Sequence, residues 1–200
     1  MKVCIVAEGC YPYVVGGVSG WINSLIQSFP NIEFILLTII ANRSSRGKFV
    51  YELPKNVTQV YEVYLEDCEW NNGKKRQKNR KHIRLSKKEY AEMLNMVLNR
   101  KTDWNILFDL FQRKNLSIDD LLMGPDFFQI ARECYNRKYS GIIFSDFLWT
   151  LRSIYLPMFW VLKMNIPKAD LYHCVATGYA GVLGSMAVHF HDSSLLISEH

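Results

Sequence analysis

Three short stretches of this 200-residue chain hold the residue types that can do chemistry. The first is Glu8-Gly9-Cys10-Tyr11-Pro12-Tyr13-Val14-Val15-Gly16-Gly17-Val18-Ser19, which follows an apolar run and ends where helical spacing begins. Paired glycines there let a ligand approach the main chain, and free N–H groups at a helix start, with the helix dipole, favour an anionic phosphate. The spacing is not GxGxxG, and a tight turn accounts for Gly16-Gly17 equally well. The second stretch is His173 followed by Ala176-Thr177-Gly178-Tyr179-Ala180-Gly181. Thr177 is placed to cap the helix after it. Gly178, Ala180, Gly181 and Gly184 would let that helix pack closely on a sheet, and a histidine inside an apolar run is more often a satisfied core side chain than a catalytic one. The third is Glu199-His200, an acid and an imidazole at the end of an apolar run.

The elements that must position these residues follow from periodicity. Residues 3–7 form a short continuous apolar run rich in β-branched side chains, the pattern of a strand buried on both faces of a parallel sheet. Val18, Trp21, Ile22, Leu25, Ile26 and Phe29 recur at helical spacing until Pro30. Residues 32–40 predict a second strand, and residues 59–65, which alternate, a strand nearer an edge. Ser86 with Glu89 predicts a capping box opening a helix to about residue 99. Further helices are expected over 103–114, 118–122 and 126–139, the last with Pro125 just before its start. The apolar stretch 142–164 reads as a buried helix that bends or breaks near Pro157. Strands over 170–176 and 195–198 enclose a small-residue helix over 178–189. This order is that of an α/β protein with a Rossmann-like open parallel sheet, with a charged loop and a helical insertion over 67–167. In such sheets ligands sit beyond the carboxyl ends of the strands, where all three stretches fall.

Charge and cysteine usage exclude several function classes. Nine Lys and Arg and no acid lie between residues 74 and 88, so the rest of the chain is mildly acidic although the net charge is +5. The excess is local, without interleaved aromatics, which argues against nucleic acid as a partner and for a solvated, mobile loop over 69–84. Asp146, Arg152 and Pro157 interrupt the stretch 142–161, which argues against a membrane span. The amino terminus is too short of apolar residues for a signal peptide, so a cytoplasmic location is expected. The five cysteines are scattered without metal-ligand spacing, so free thiols and no metal or cofactor are expected.

Glu8-Gly9-x-Tyr11-Pro12-Tyr13-Val14-x-Gly16-Gly17-Val18-Ser19-x-Trp21, Ala169-Asp170-Leu171-Tyr172-His173, Thr177-Gly178-Tyr179-Ala180-Gly181 and Glu199-His200 together resemble the Pel-polysaccharide type of family-4 glycosyltransferase. The resemblance runs from end to end, departing at Ser198, where the family usually has Thr. It implies that residues 1–200 are the acceptor-side, N-terminal half of a GT-B fold, with the donor-binding domain absent and the chain inactive alone. The implied reaction is retaining transfer of a hexose from a UDP-sugar to a growing exopolysaccharide, without an obligatory metal, alongside membrane-bound polysaccharide synthase proteins at the inner face of the membrane. It places Gly16 and Gly17 near the donor phosphate, His200 as the catalytic-site contact to the donor sugar, and Tyr11, Tyr13, His173 and Tyr179 on the acceptor side. Two other readings stand beside it: a non-catalytic α/β partner domain, and a module binding anionic polymer or membrane through residues 74–88.

Overall fold

The computed structural model describes residues 1–68 and 83–199. They fall into two compact units, one within residues 1–68 and 164–199, the other within residues 83–163. Five strands make the sheet of the first unit: β1 (Lys2–Glu8), β2 (Glu33–Ile40), β3 (Val57–Tyr64), β4 (Leu171–Cys174) and β5 (Ser194–Ile197). Every pairing is parallel, in the order β3-β2-β1-β4-β5. Seven α-helices are described: α1 (Gly17–Ser28), α2 (Lys87–Val97), α3 (Trp104–Phe111), α4 (Ile118–Leu122), α5 (Pro125–Cys134), α6 (Phe144–Leu162) and α7 (Tyr179–His191). The fold is a Rossmann-like open parallel sheet, and β3 lies at an edge as its alternation predicts.

β1 is central, and its side chains divide between two helical layers. Val3, Ile5 and Ala7 pack with Phe34 and Leu36 of β2 against Ile22 and Ile26 of α1. Cys4 and Val6 point the other way, in register with Tyr172 and Cys174, toward the face that α7 covers. Both faces are therefore dry, and each large aliphatic side chain so buried contributes about 1.5–3 kcal/mol. α7 reaches this depth because of Gly184: a Cβ there would lie 2.2 Å from Cys174 Sγ and 2.8 Å from Leu195 Cδ1. The packing role open to the small residues of this helix is met at that position.

Among the described residues β5 is an edge strand, with Leu196 47% and Ile197 45% exposed. α7 covers Leu195, and β4 supplies the one neighbour.

In the second unit Ser86 and Glu89 close the capping box that opens α2. Glu89 is buried and pairs with Arg113. Phe159 stacks near Phe111 (ring centroids 4.5 Å) and meets Phe127 edge-on, which ties α6 to α3 and α5. Pro125 is the first residue of α5, not the residue before it, and the expected helix over 126–139 ends at Cys134 in favour of a π-helical turn, Tyr135–Tyr139. α6 neither breaks at Pro157 nor is buried all round. The carbonyl that Pro157 cannot engage belongs to Ser153, which is exposed, so water can take the bond, while Phe159, Val161 and Leu162 anchor the turns beyond. Phe147 and Leu151 face inward, but Trp149 and Ile154 are 52% and 60% exposed. Among the described residues no helix is long and apolar enough to cross a membrane. The expected loop 69–84 lies almost wholly outside the described residues.

Gly184→Ala is expected to destabilise the protein by about 1–3 kcal/mol through overpacking, outweighing the gain of roughly 1 kcal/mol in helix propensity. Cys174→Ala in the same chain should return part of the loss. Denaturant midpoints of wild type and the two variants check this, and a Gly184→Ala protein as stable as wild type would refute the close packing.

Candidate functional site

The strand order turns at β1. From β1 the chain moves outward through α1 to β2 and β3, and later returns on the other side of β1 to form β4 and β5. A crevice opens at such a switch point, beyond the carboxyl ends of the strands. Here the ends of β1 and β4 supply Glu8 and the segment leading into α7.

Glu8 closes β1, and its carboxylate reaches the first turn of α7, where Oε2 accepts the Ala180 N–H at 3.3 Å. Thr177, expected as the cap, does not serve: the N-cap is Gly178, with no side-chain cap of its own. A carboxylate from the adjoining strand is the stronger acceptor for the positive end of a helix, so it takes the place of a local hydroxyl. It comes so close that a Cβ on Gly178 would lie 2.9 Å from Oε2. Burial first, then the Glu8 charge, raises the Tyr179 phenol above its ordinary range. The Cys10 thiol is likewise raised, mainly by burial.

The start of α1 is open in a way the start of α7 is not. Gly16 precedes it with extended backbone and no side-chain cap, and a Cβ on Gly16 or Gly17 would meet nothing within 4 Å. Neither packing nor a left-handed conformation calls for glycine at these two positions, so a tight turn does not account for them. They leave the first-turn N–H groups accessible to a ligand.

The loop carrying these glycines is held by Tyr13. Its hydroxyl donates to Glu62 Oε1 at 2.5 Å and lies 3.4 Å from Thr38 Oγ1, and its ring meets Phe49 edge-on. Glu62 Oε1 also accepts the N–H of Gly47, which sits at φ +62°, a conformation that favours glycine. Val50 N–H donates to the Pro12 carbonyl. Two loops are thus joined through one carboxylate. Burial alone would raise the Glu62 pKa, but hydrogen bonds from Tyr13 and Gly47, the nearby Tyr64 hydroxyl and the Arg46 charge together hold it below the ordinary range. Tyr64 lies close to the carboxylate without meeting hydrogen-bond geometry, and burial followed by the Glu62 charge pushes its phenol up to about 12.

The remaining candidates separate. Tyr11 is fully buried, packs in the α1-side core and donates to Asn23 Oδ1, so it offers no open face. His173 is buried, sits edge-on to Trp21 at 5.5 Å, and its Nε2 lies 2.8 Å from Ser198 Oγ. It ties the end of β4 to the residue that follows β5, the position where the resemblance departs from its family. Tyr179 is half-buried beside Glu8, and Glu199 is exposed. His200 lies outside the described residues. All five cysteines are free, and among the described residues no cluster of three His, Cys, Asp or Glu is placed to hold a metal ion.

Glu8 heads one of the candidate stretches of the sequence, but its role at the start of α7 was not read there, and Glu62 was missed altogether. A signal existed for Glu8: an acid that ends a strand buried on both faces and is followed by glycine. None existed for Glu62, which stands forty-nine residues from Tyr13 in an alternating strand.

Fold and site together define an open α/β domain of Rossmann-like type with an uncapped helix start at its switch point. The model of a domain of unknown function, DUF3492, matches residues 1–200, and the chain belongs to that family. No curated protein and no solved structure matches the chain.

The depressed Glu62 pKa has a consequence for stability. A carboxylate whose folded pKa lies below its unfolded value of about 4.3 stabilises the fold fully above that value, and the contribution is lost as pH falls through the folded pKa. The gap in Tm between wild type and Glu62→Gln is therefore expected to be constant well above the unfolded value of about 4.3 and to narrow steadily as the pH falls below it. A gap that does not narrow on acidification would mean that ionisation of Glu62 contributes nothing.

Proposed function

We propose that this domain works in retaining glycosyl transfer, contributing one wall of a cleft in which a hexose passes from a UDP-sugar to a glycan acceptor. The observation that carries the reading is the open start of α1: two glycines that the fold does not require, facing free space at the carboxyl edge of a parallel sheet. An anionic diphosphate is the ligand such a helix start suits, because first-turn N–H groups and the dipole both favour negative charge. Family membership supports the reading, since domains of this family typically occur in glycosyltransferase-like proteins. The finer reading, a Pel-type member that builds an exopolysaccharide with a GT-B partner domain, rests on the sequence resemblance.

In this reading the leaving diphosphate is stabilised in part by the α1 N–H groups, fixed dipoles that need no reorganisation as charge develops. Tyr13, committed to Glu62, is a positioning residue that sets the path of the glycine loop. His173 sets the strand end from which Glu199 and His200 follow. Tyr179, half-buried beside Glu8, is the side chain offered to an acceptor.

The test is acceptor-dependent release of UDP from UDP-glucose or UDP-N-acetylhexosamine by the natural gene product, with Gly17→Val beside wild type. A side chain at residue 17 has room in the fold, so Tm should hold while kcat/KM falls by about ten- to a thousand-fold. Absence of UDP release with every sugar tried would reject glycosyl transfer. Wild-type turnover by Gly17→Val would remove the helix start from the site.

A further inference from the structure

Two charged side chains are buried among the described residues, Glu89 and Arg152, and the fold treats them differently. Glu89 accepts the Ser86 N–H and pairs with the Arg113 guanidinium. Arg152, on α6, is only 7% exposed, and among the described residues its one hydrogen bond runs from Nε to the Leu122 carbonyl at 3.1 Å. A guanidinium carries five N–H donors, so the four on the terminal nitrogens take no protein partner.

No acid among the described residues answers this charge. α3 and α4 pack on α6, yet neither Asp109, Asp119 and Asp120 on those helices nor Asp146 on α6 pairs with Arg152. Burial is the one influence on its pKa, and it lowers it. The guanidinium carbon lies 5.5 Å from the centroid of the Trp149 ring, which attracts the charge but accepts none of its in-plane donors. Arginine is almost never buried unpaired, because nothing then replaces the hydration that the charge has lost. The carbonyl at the end of α4 accounts for Nε and leaves the fork unanswered.

The fork is nevertheless reachable. Tyr64 Oη and Trp160 Nε1 are the fully enclosed polar side-chain atoms without a partner among the described residues, so the terminal nitrogens of Arg152 touch solvent. Nε and the ring of Trp149 fix the charge in place, and Trp149, 52% exposed, stands beside the opening as an apolar wall.

The charge count selects the ligand. One cation neutralises one negative charge, and among the described residues no second cation bears on Arg152. A dianionic phosphate would keep a charge that this dry setting does not compensate. A carboxylate is a planar monoanion whose two oxygens match the guanidinium fork through parallel N–H···O bonds.

We infer that Arg152 is the anchoring cation of a carboxylate-binding site in the helical unit, with the Trp149 ring as its wall. The inference does not rest on glycosyl transfer and survives its rejection.

The test is thermal unfolding of the natural gene product in sodium acetate or sodium glucuronate, with glucose and sodium phosphate as controls at matched ionic strength. A carboxylate that binds the folded state should raise Tm along a saturating curve, and the controls should not. Arg152→Lys keeps the charge but loses the fork, so half-saturation should move to about tenfold higher concentration or beyond. Arg152→Met should lose the response while its Tm without ligand stays at or above that of wild type, because an apolar side chain removes an unpaired buried charge. No saturating rise with either carboxylate overturns the inference. An undiminished response in Arg152→Lys also overturns it, and that arm does not depend on the Met variant folding. A response to phosphate equal to that with carboxylate overturns the ligand class.

Discussion

The architecture of the first unit depends on β1 being dry on both faces and ending in a carboxylate. A parallel strand with helices above and below must be apolar along its whole length. Its polar side chains therefore fall only at its two ends, Lys2 at the start and Glu8 where the sheet opens toward the start of α7. The same seven residues that bury the sheet's centre deliver an acid to the first turn of α7. The approach of α7 to β4 through Gly184, and of Gly178 to Glu8, follows from the helix having to lie low enough to meet both.

The two helix starts at the switch point are treated oppositely. α7 receives an internal anion from Glu8, so its positive end is already partnered. α1 begins with glycines in open space and receives none from its own cap. Two dipoles directed at one edge of a sheet, one answered from within and one left open, make an asymmetric site. In the proposed reading an anionic ligand is best placed at α1, because Glu8 would repel it from α7.

Loop order is the second requirement. A glycine-rich loop is useful only if its path is set, and the path here is set by side chains from distant strands: Glu62 on β3 and Thr38 on β2. His173 does the equivalent at the opposite side of the switch point by holding Ser198. In each case one buried or half-buried polar contact joins the ends of different strands, so strand register is passed on to the loops.

What the sequence by itself determined is the local and periodic part. The apolar runs of β1 and β2, the helical spacing of α1, the capping box at Ser86 and the edge character of β3 were legible because they depend on neighbours one to four residues away. The glycine pair and His173 were legible as candidates for the same reason. Only the tertiary structure decided their roles. It buried Tyr11, bound Tyr13 to Glu62, replaced the Thr177 cap with Glu8 and carried α6 through Pro157. Each of these outcomes turns on a partner brought close by folding from at least a strand or helix away. Hydrogen bonds, cap charges and burial depend on distance in space, and no local pattern encodes which distant carboxylate or aromatic ring will arrive there.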